Sequence, residues 1–244
     1  MPLTEKDTAK ETGVQHFAIL SYGAPGSGKT YLGAHAPNPY FISLDDGLTR
    51  YKFLGESVKY IEPTTFDELE MAVDQILNGQ RAKENETIVL DHGTAVTDLI
   101  IDKVLTESNM KRMDQNRWGI AVDHLKVLLR KFTDIPKRKK KHAIMLFHEQ
   151  IEKNEIRGGV FGNPNTVGKL AYYIGGYFDL YFYHYVQNDW KNGKPDPKYF
   201  CSTVKYGDFS AKDRIGVLPS AVPNDLNKIL ALMESAKPKE GRNA

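Results

Sequence analysis

The 244-residue sequence contains one cysteine, Cys201, and a net charge of only +2. A single cysteine excludes an intrachain disulfide, which fits a reducing compartment. No run of about 18 apolar residues is present, so no membrane-spanning helix is predicted. The polar start, MPLTEKDTAKETG, lacks the apolar stretch of a signal peptide. We therefore expect a soluble cytoplasmic protein with no membrane partner, in which any nucleic-acid-binding surface is local.

Strand-like and helix-like segments alternate over the first 150 residues. The apolar runs HFAILSYG, PYFISLDDG, TIVLD and AIMLFHEQ predict buried strands. TTFDELEMAVDQILNG is typical of an amphipathic helix that begins at a Thr65–Glu68 capping box and ends at Gly79. This alternation predicts an α/β fold with a mainly parallel central sheet that helices flank on both faces.

The C-terminal part of the chain has a different pattern. DLYFYHYVQ and KYFCSTVKY predict strands of an antiparallel extension, with NDWKNGKPDP supplying the turn between them, and TVGKLAYYIGGYF predicts a helix before them. Residues 1–13 and 236–244 are expected to be flexible tails. No repeat or linker divides the rest, so we expect a single domain over residues 14–235.

The segment GAPGSGKT fits the phosphate-binding loop G-x-x-x-x-G-K-T in full. Its glycines let backbone N–H groups point at an anion, and the following helix adds the positive end of its dipole. Lys29 is expected to reach the β- and γ-phosphates of ATP, and the Thr30 hydroxyl to bind Mg²⁺. The predicted nucleotide-binding residues are Gly23, Ala24, Pro25, Gly26, Ser27, Gly28, Lys29, Thr30 and Tyr31.

Carboxylates at strand ends are the further candidates for this site. Asp91 ends TIVLD and is predicted to hold Mg²⁺ together with Thr30. Water could be oriented from two other strand ends, SLDDG with Asp45 and Asp46, or FHEQ with His148, Glu149 and Gln150. Because neighbouring side chains on a strand point to opposite faces, not all of these can reach one site.

The order of these motifs resembles the core of RecA-type recombinases, and over residues 15–232 it resembles the phage RecA-like single-strand annealing ATPases. The resemblance implies a RecA-like P-loop NTPase fold. It implies that Asp46 of FISLDDG activates water and that Gln150 of LFHEQI senses the γ-phosphate, with His148 and Glu149 as alternatives. Lys212 and Arg214 of SAKDRIG match two basic residues that reach into a neighbour's ATP site.

The glycine-rich segment EKNEIRGGVFGNPN occupies the position of the family's DNA-binding loop. Cations there can meet phosphates, glycines permit close approach, and an aromatic ring can stack on a base. The predicted DNA-binding residues are Lys153, Arg157, Gly158, Gly159, Phe161 and Lys169. The basic run PKRKKKH at 136–142 is an alternative, but it precedes a strand and is expected at the edge of the sheet opposite the nucleotide.

The resemblance implies a slow, DNA-stimulated, Mg²⁺-dependent ATPase that binds single-stranded DNA and promotes annealing or recombination. It further implies assembly into a ring or filament and action beside a single-strand DNA-binding protein in the cytoplasm of a phage's host. Two alternatives stay open. A nucleotide-switched DNA-binding module with negligible hydrolysis is favoured by the short side chain of Asp46. A small-molecule phosphotransferase would need a lid with several arginines, and only scattered ones are present (Arg81, Arg112, Arg117).

Overall fold

The computed structural model describes residues 16–153, 160–191 and 193–236. The predicted tails therefore lie outside the described residues, except for Ala236. Two 3₁₀ turns, Gly168–Tyr172 and Ile174–Tyr177, accompany the helices and strands. In chain order these elements are β1 (Ala18–Gly23), α1 (Lys29–Ala34), β2 (Pro39–Ser43), α2 (Thr49–Leu54), β3 (Lys59–Ile61), α3 (Phe66–Leu77), β4 (Thr87–Asp91), α4 (Gly93–Glu107), α5 (Gln115–Thr133), α6 (Ile135–Lys139), β5 (His142–Lys153), β6 (Val160–Pro164), β7 (Leu180–Lys191), β8 (Lys194–Ser202), β9 (Lys212–Asp213), β10 (Ala221–Pro223) and α7 (Leu226–Ser235).

The strands form one sheet in the order β10-β8-β7-β1-β5-β4-β2-β3, with β6 beside β5 and β9 beside β7. Every pair from β7 across to β3 is parallel, whereas β6, β8, β9 and β10 pair antiparallel. The predicted α/β fold with a mainly parallel sheet and an antiparallel C-terminal extension is confirmed. Helices in the described ranges are too short or too polar to cross a bilayer.

The register of the sheet determines where the site lies. Gly23 at the end of β1 pairs with His148 on β5, and Ser43 at the end of β2 pairs with Asp91 at the end of β4. Strand ends that carry glycine, histidine and aspartate therefore share one edge, as expected for an open parallel sheet.

Side chains alternate across the sheet and build two apolar layers. Leu20 and Phe147 pack on the side of α3, α4 and α5, whereas Ile19 and Leu146 pack on the side of α1 and α7. Each of these side chains is fully buried. Burial of one such side chain contributes about 1.5–3 kcal/mol to the free energy of unfolding. Burial on both faces explains why the central strands read as continuous apolar runs rather than alternating ones.

The helix α3 shows the predicted end signals. The Thr65 side chain accepts a hydrogen bond from the Glu68 backbone N–H at 3.2 Å. The Glu68 carboxylate reaches back to the N–H of Thr64, one residue earlier than in a standard capping box. Gly79, with φ of 72°, follows the last helical turn in the left-handed conformation.

The antiparallel extension is longer than the sequence predicts. The segment predicted as a turn is strand on both sides, and β7 and β8 pair out to Lys191 and Lys194. Pro195 and Pro197 lie two residues apart on this extended part of β8. Because β10 pairs with β8 only from Phe200 to Ser202, one edge of β8 is unpaired at these prolines, and an edge strand tolerates proline.

Other local predictions need correction. TVGKLAYYIGGYF forms two 3₁₀ turns rather than one helix, because Gly168 has φ of 52° and further glycines interrupt the helical pattern. Part of the predicted DNA-binding loop is β6. The basic run lies where expected, on α6 and at the start of β5, at the edge of the sheet opposite Gly23.

Acid pH is expected to destabilise the protein through His142. Its Nδ1 accepts a hydrogen bond from the Phe17 N–H at 3.3 Å, and burial lowers its pKa from 6.5 to about 4. Between these values the unfolded chain binds a proton that folded His142 does not, so stability falls as pH falls. Below both pKa values, His142 lowers the free energy of unfolding by at most roughly 3 kcal/mol relative to neutral pH.

Urea unfolding at pH 7, 5.5 and 4 measures the effect. The amide oxygen of a His142→Asn variant can accept the same hydrogen bond, so its free energy of unfolding should depend less on pH. A His124→Asn variant on α5 is the control. Equal pH dependence in wild type and His142→Asn would show that His142 does not cause the acid effect.

Candidate nucleotide-binding site

The phosphate loop joins β1 to α1 through turns that glycine permits. Gly26 and Gly28 have φ of 78° and 90°, in the left-handed region where a side chain is strained. A Cβ on Gly23 would lie 2.7 Å from the carbonyl oxygen of His184 on β7. Of the predicted nucleotide-binding residues, those that line the cleft are Pro25, Gly26, Gly28, Lys29, Thr30 and Tyr31.

Lys29 is the first residue of α1 and is buried. Its ammonium group donates to the carbonyl oxygens of Gly23 at 2.9 Å and Ala24 at 2.8 Å. Burial lowers its pKa to about 8, against the attraction of nearby carboxylates, Asp91 foremost. A positive charge is thus held over the loop, where an anionic phosphate would compete with the two carbonyl groups for its donors.

The two predicted Mg²⁺ ligands are in contact, with Thr30 Oγ1 donating to Asp91 Oδ2 at 2.9 Å. Asp91 is 4% exposed. Burial and the nearby Asp45 raise its pKa to about 6, while the Thr30 hydrogen bond and Lys29 oppose the rise. A Cβ on Gly47 would lie 2.9 Å from Asp91 Oδ2, so a backbone segment closes over this carboxylate.

This oxygen pair beside the phosphate loop fits a nucleotide-bound Mg²⁺, which prefers oxygen ligands and keeps several waters. Among the described residues, no group of three or more His, Cys, Asp or Glu side chains is arranged for a metal ion. Thr30 and Asp91 therefore suit a metal ion for which phosphate and water would supply most of the ligands.

The carboxylate that the end of β2 directs into the cleft is Asp45. Its Oδ1 accepts the Gly47 N–H at 2.9 Å, and its Oδ2 lies 3.5 Å from His92 Nδ1. Asp46 instead lies in the turn before α2, where its backbone carbonyl accepts hydrogen bonds from the N–H and the hydroxyl of Thr49. The structure thus brings Asp45, and not the predicted Asp46, to the site, because the chain turns between them and strand alternation ends.

Asp45 and Asp46 form a matched pair for mutation. The Asp45→Asn variant should lower the maximal rate of ATP hydrolysis by about 100-fold, the scale of a lost general base. Asp46→Asn removes the same charge one residue away and should leave the rate close to wild type. Phosphate release at saturating ATP measures both. A rate lost in Asp46→Asn but kept in Asp45→Asn would contradict this assignment.

His148, an alternative to Gln150 in the sequence, is the residue of β5 that lines the cleft. Its ring contacts His92 edge to face, with centroids 4.1 Å apart. Burial lowers the pKa of His148 to about 4, and the neighbouring His92 and Lys29 lower it further. A neutral imidazole therefore faces the cleft at neutral pH.

Glu149 and Gln150 lie outside the cleft lining. Glu149 points to the opposite face of β5, where it hydrogen-bonds with Tyr183, and burial raises its pKa while Lys29 opposes the rise. Gln150 Nε2 donates to Glu152 Oε1 at 2.9 Å, further along the strand. The catalytic roles of Glu149 and Gln150 stay predictions.

Besides the phosphate loop and the strand ends, the C-terminal part of the chain forms a wall of the cleft. Its residues are Tyr199, Pro223, Asn224, Asp225 and Lys228. With Tyr31 and Arg50 they bound a cleft of about 690 Å³, in the range of small-molecule sites. The buried Asn224 joins this wall to the loop, since its Nδ2 donates to the Gly28 carbonyl at 2.8 Å. No local motif marks these residues.

Comparison with known proteins identifies the family. A family model described as an AAA domain matches residues 16–215. The chain belongs to the AAA-domain family. Solved structures similar to it include the flagellar accessory protein FlaH from Methanocaldococcus jannaschii, at 13% identity and a TM-score of 0.41, over 86% of this chain and 85% of that chain. No curated protein matches the sequence significantly.

Membership in the AAA-domain family supports nucleotide binding and hydrolysis at this cleft. The phosphate loop with Lys29, and the oxygen pair of Thr30 and Asp91, are the parts that such P-loop ATPases use for ATP and Mg²⁺.

The predicted trans-acting cations of the AAA domain lie at the other edge of the sheet. Lys212 Nζ donates to the Gly175 carbonyl at 2.6 Å, and Arg214 pairs with Asp179 at 3.1 Å and donates to the Gly176 carbonyl at 2.8 Å. Because β1 and β7 both begin at this edge, neither cation reaches the cleft of its own protomer. A role at a neighbour's site stays a prediction.

The predicted DNA-binding loop of the AAA domain leaves the sheet as a β-hairpin, in which Lys153 of β5 pairs with Val160 of β6. Phe161 is partly exposed on β6, and Lys169 is exposed on the first 3₁₀ turn. Three predicted DNA-contacting residues lie outside the described residues: Arg157, Gly158 and Gly159.

Proposed function

We propose that this AAA-domain protein is a Mg²⁺-dependent ATPase that binds single-stranded DNA and promotes annealing in recombination, with the β5–β6 hairpin as its DNA-contacting element. The observation that carries the proposal is the continuity of β5. This one strand contains His148 at the nucleotide cleft and, further along, Lys153 in the hairpin. Nucleotide and DNA would therefore meet the same rigid element.

The hairpin and the adjacent 3₁₀ turn present a surface that suits single-stranded DNA. The rings of Phe161 and Tyr172 lie 5.8 Å apart, and Tyr172 is 54% exposed. Lys153, which pairs with Val160 next to Phe161, and Lys169, on the same 3₁₀ turn as Tyr172, are both exposed. Aromatic rings can stack on bases of any sequence, while lysines contact the phosphate backbone.

Hydrogen bonds connect this surface with the strands of the ATP site. The Glu152 carboxylate accepts from Gln150 Nε2 at 2.9 Å and from the Tyr172 hydroxyl at 2.5 Å. The Tyr22 hydroxyl, on β1 just before the phosphate loop, lies 2.7 Å from the Ser210 carbonyl oxygen and 3.1 Å from that of Gly162 on β6, and its one proton is shared between these two acceptors. Such a network supports a coupling in which bound nucleotide selects one hairpin conformation.

The residues of the cleft would divide the work of hydrolysis. Lys29 would hold the phosphates, and Thr30 and Asp91 would hold Mg²⁺, which when bound neutralises phosphate charge. Asp45 and His148 line the cleft. In this proposal Asp45 would accept a hydrogen bond from the attacking water, and neutral His148 would supply a further hydrogen bond.

The proposal includes side-by-side assembly into a ring or filament beside a single-strand DNA-binding protein, in the cytoplasm of a phage's host. In such an assembly Lys212 and Arg214 would face the ATP site of the next protomer. They would then have to exchange their present carbonyl contacts at Gly175 and Gly176 for a phosphate. The phosphotransferase alternative has less support, because Arg81 is bonded to Gln75 and Tyr40, away from the cleft.

The test combines ATP hydrolysis, with and without single-stranded DNA, and anisotropy of a labelled oligonucleotide. Phe161→Ala should weaken ATP-dependent DNA binding by roughly 5- to 100-fold, the scale of one lost base stack. Hydrolysis without DNA should be unchanged in that variant. Phe53→Ala is the control, because Phe53 on α2 is an 87% exposed aromatic residue elsewhere on the surface.

Each outcome separates the hypotheses. Stimulation of hydrolysis by DNA supports the recombination-type ATPase. DNA binding that needs ATP but brings no turnover indicates the nucleotide switch. Equal DNA binding in Phe161→Ala and Phe53→Ala would remove the hairpin from the interface, and no DNA binding in wild type would overturn the DNA-binding function and leave small-molecule phosphoryl acceptors to test.

A further inference from the structure

We propose that Tyr199 stacks on the base of the bound nucleotide, and that the base occupies the part of the cleft between β8 and the start of α7. This inference rests on the ATP-binding part of the proposed function and deepens it. It assigns the recognition of the base to the C-terminal wall of the cleft, which no motif in the sequence marks.

The two ends of the cleft differ in chemistry, and this difference orients the ligand. The contact between Thr30 and Asp91 lies toward β4, on one side of β1, with Asp45 beside it. The strands β7, β8 and β10 lie on the other side of β1. A nucleoside triphosphate with its terminal phosphates at the acidic, metal-binding end would direct its sugar and base toward β8 and β10.

Tyr199 is the aromatic side chain at that second end. Its Cδ1 lies 3.2 Å from the position that a Cβ on Gly28 would occupy, so the ring contacts the phosphate loop. The residue is nevertheless 41% exposed and lines the cleft. The other tyrosine of the lining, Tyr31, is stacked on His35 with centroids 3.8 Å apart, so one face of its ring is already covered.

Asn224 positions Tyr199 relative to the loop. The Asn224 backbone N–H donates to the Tyr199 carbonyl at 3.2 Å, and its Nδ2 donates to the Gly28 carbonyl at 2.8 Å. Both bonds come from one buried residue, which fixes β8 against the phosphate loop. The backbone that carries the ring is therefore fixed beside the loop before a ligand binds, which lowers the ordering cost of binding.

The polar residues of this wall are already paired with each other. Asp225 begins α7, accepts the Lys228 N–H at 3.3 Å and lies 3.4 Å from the Lys228 ammonium group. The face of the Tyr199 ring, on a residue that is 41% exposed and lines the cleft, is available beside them to a base. Because every base has a π-face, recognition by stacking tolerates different bases. We therefore expect ATP and GTP to depend on Tyr199 to the same extent.

Binding of three ligands in the presence of Mg²⁺ tests the inference: ATP, GTP and inorganic triphosphate, which has no base. Tyr199→Ala should weaken the binding of ATP and of GTP by roughly 10- to 100-fold. The affinity for inorganic triphosphate should be unchanged. Tyr199→Phe keeps the ring and should restore nucleotide binding. Tyr173→Ala is the matched control, because Tyr173 is similarly exposed, at 47%, outside the cleft. Circular dichroism verifies that each variant is folded.

The outcomes separate this inference from the proposed function. Equal ATP binding in Tyr199→Ala and wild type overturns the stacking role while ATP binding stands. Equal loss of ATP and inorganic triphosphate also overturns it, since Tyr199 would then support the loop rather than the base. If Tyr199→Ala loses affinity for ATP but not for GTP, Tyr199 recognises the edge of the base rather than its face. The stacking role is then wrong. No binding of ATP by wild type would overturn the inference and the proposed function together.

Discussion

The Lys29→Ala variant is expected to bind ATP at least about 100-fold more weakly than wild type. The ammonium group is buried at the start of α1 and directs its hydrogen bonds to the loop carbonyls of Gly23 and Ala24. Charge-assisted hydrogen bonds to phosphate contribute about 1.5–3 kcal/mol each, and alanine supplies none. Isothermal titration with ATP and Mg²⁺ measures the change in affinity.

The same variant should fold at least as well as wild type. Burial lowers the pKa of Lys29 to about 8, so the folded protein disfavours this charge in the absence of a ligand. The free energy of unfolding should therefore not fall in Lys29→Ala. Lys137→Ala is the control, since Lys137 is an exposed lysine of α6 at the opposite edge of the sheet. Unchanged ATP affinity in Lys29→Ala would rule out the phosphate loop as the nucleotide site.

The Asp91→Asn variant should lower the maximal rate of ATP hydrolysis by roughly 100- to 1,000-fold, the scale of losing one preorganised electrostatic group. Asparagine keeps the shape of the side chain, and its amide oxygen can still accept the Thr30 hydroxyl hydrogen bond. What it lacks is the negative charge that attracts Mg²⁺. The variant should therefore bind ATP without Mg²⁺ as wild type does, but gain no affinity when Mg²⁺ is added.

Phosphate release at saturating ATP and ATP titrations with Mg²⁺ or with EDTA measure the two effects. Asp98→Asn on α4 removes an exposed carboxylate near the same end of the sheet and serves as the control. If Mg²⁺ strengthens ATP binding to Asp91→Asn as much as to wild type, Asp91 is not a metal ligand.

Local patterns predicted the parts of the site that lie within one short segment. The phosphate loop needs glycines at backbone positions with positive φ, a lysine and a threonine in sequence, and a strand before it, and all of these are neighbours in the chain. Asp91 was predictable because the last residue of a buried parallel strand lies at the binding edge. Its contact with Thr30 then follows from the strand order.

Sequence patterns do not decide where a side chain points once it leaves the regular alternation of its element. Asp45 and Asp46 follow β2 in a turn, and the turn geometry rather than strand parity decides which one faces Asp91. Lys212 and Arg214 are predicted from a resemblance to act at a neighbour's site. The pairing of β9 with the start of β7 puts them at the edge opposite their own cleft, and the role at a neighbour's site stays a prediction. The direction of Asp45 and the edge at which Lys212 and Arg214 lie do not depend on residue type. Composition and spacing therefore contain no signal for either.

The sequence by itself determined the fold class, the phosphate loop, the pairing of Thr30 with Asp91 as predicted Mg²⁺ ligands and the edge of the sheet where they meet, because each follows from local backbone chemistry and the burial of strands. Only the tertiary structure decided the rest. Tyr199 and Asn224 meet Gly28 although nearly the whole length of the chain separates them, since β8 and α7 pack beside the loop. Contacts of this kind depend on strand order and helix packing, which the entire chain determines together.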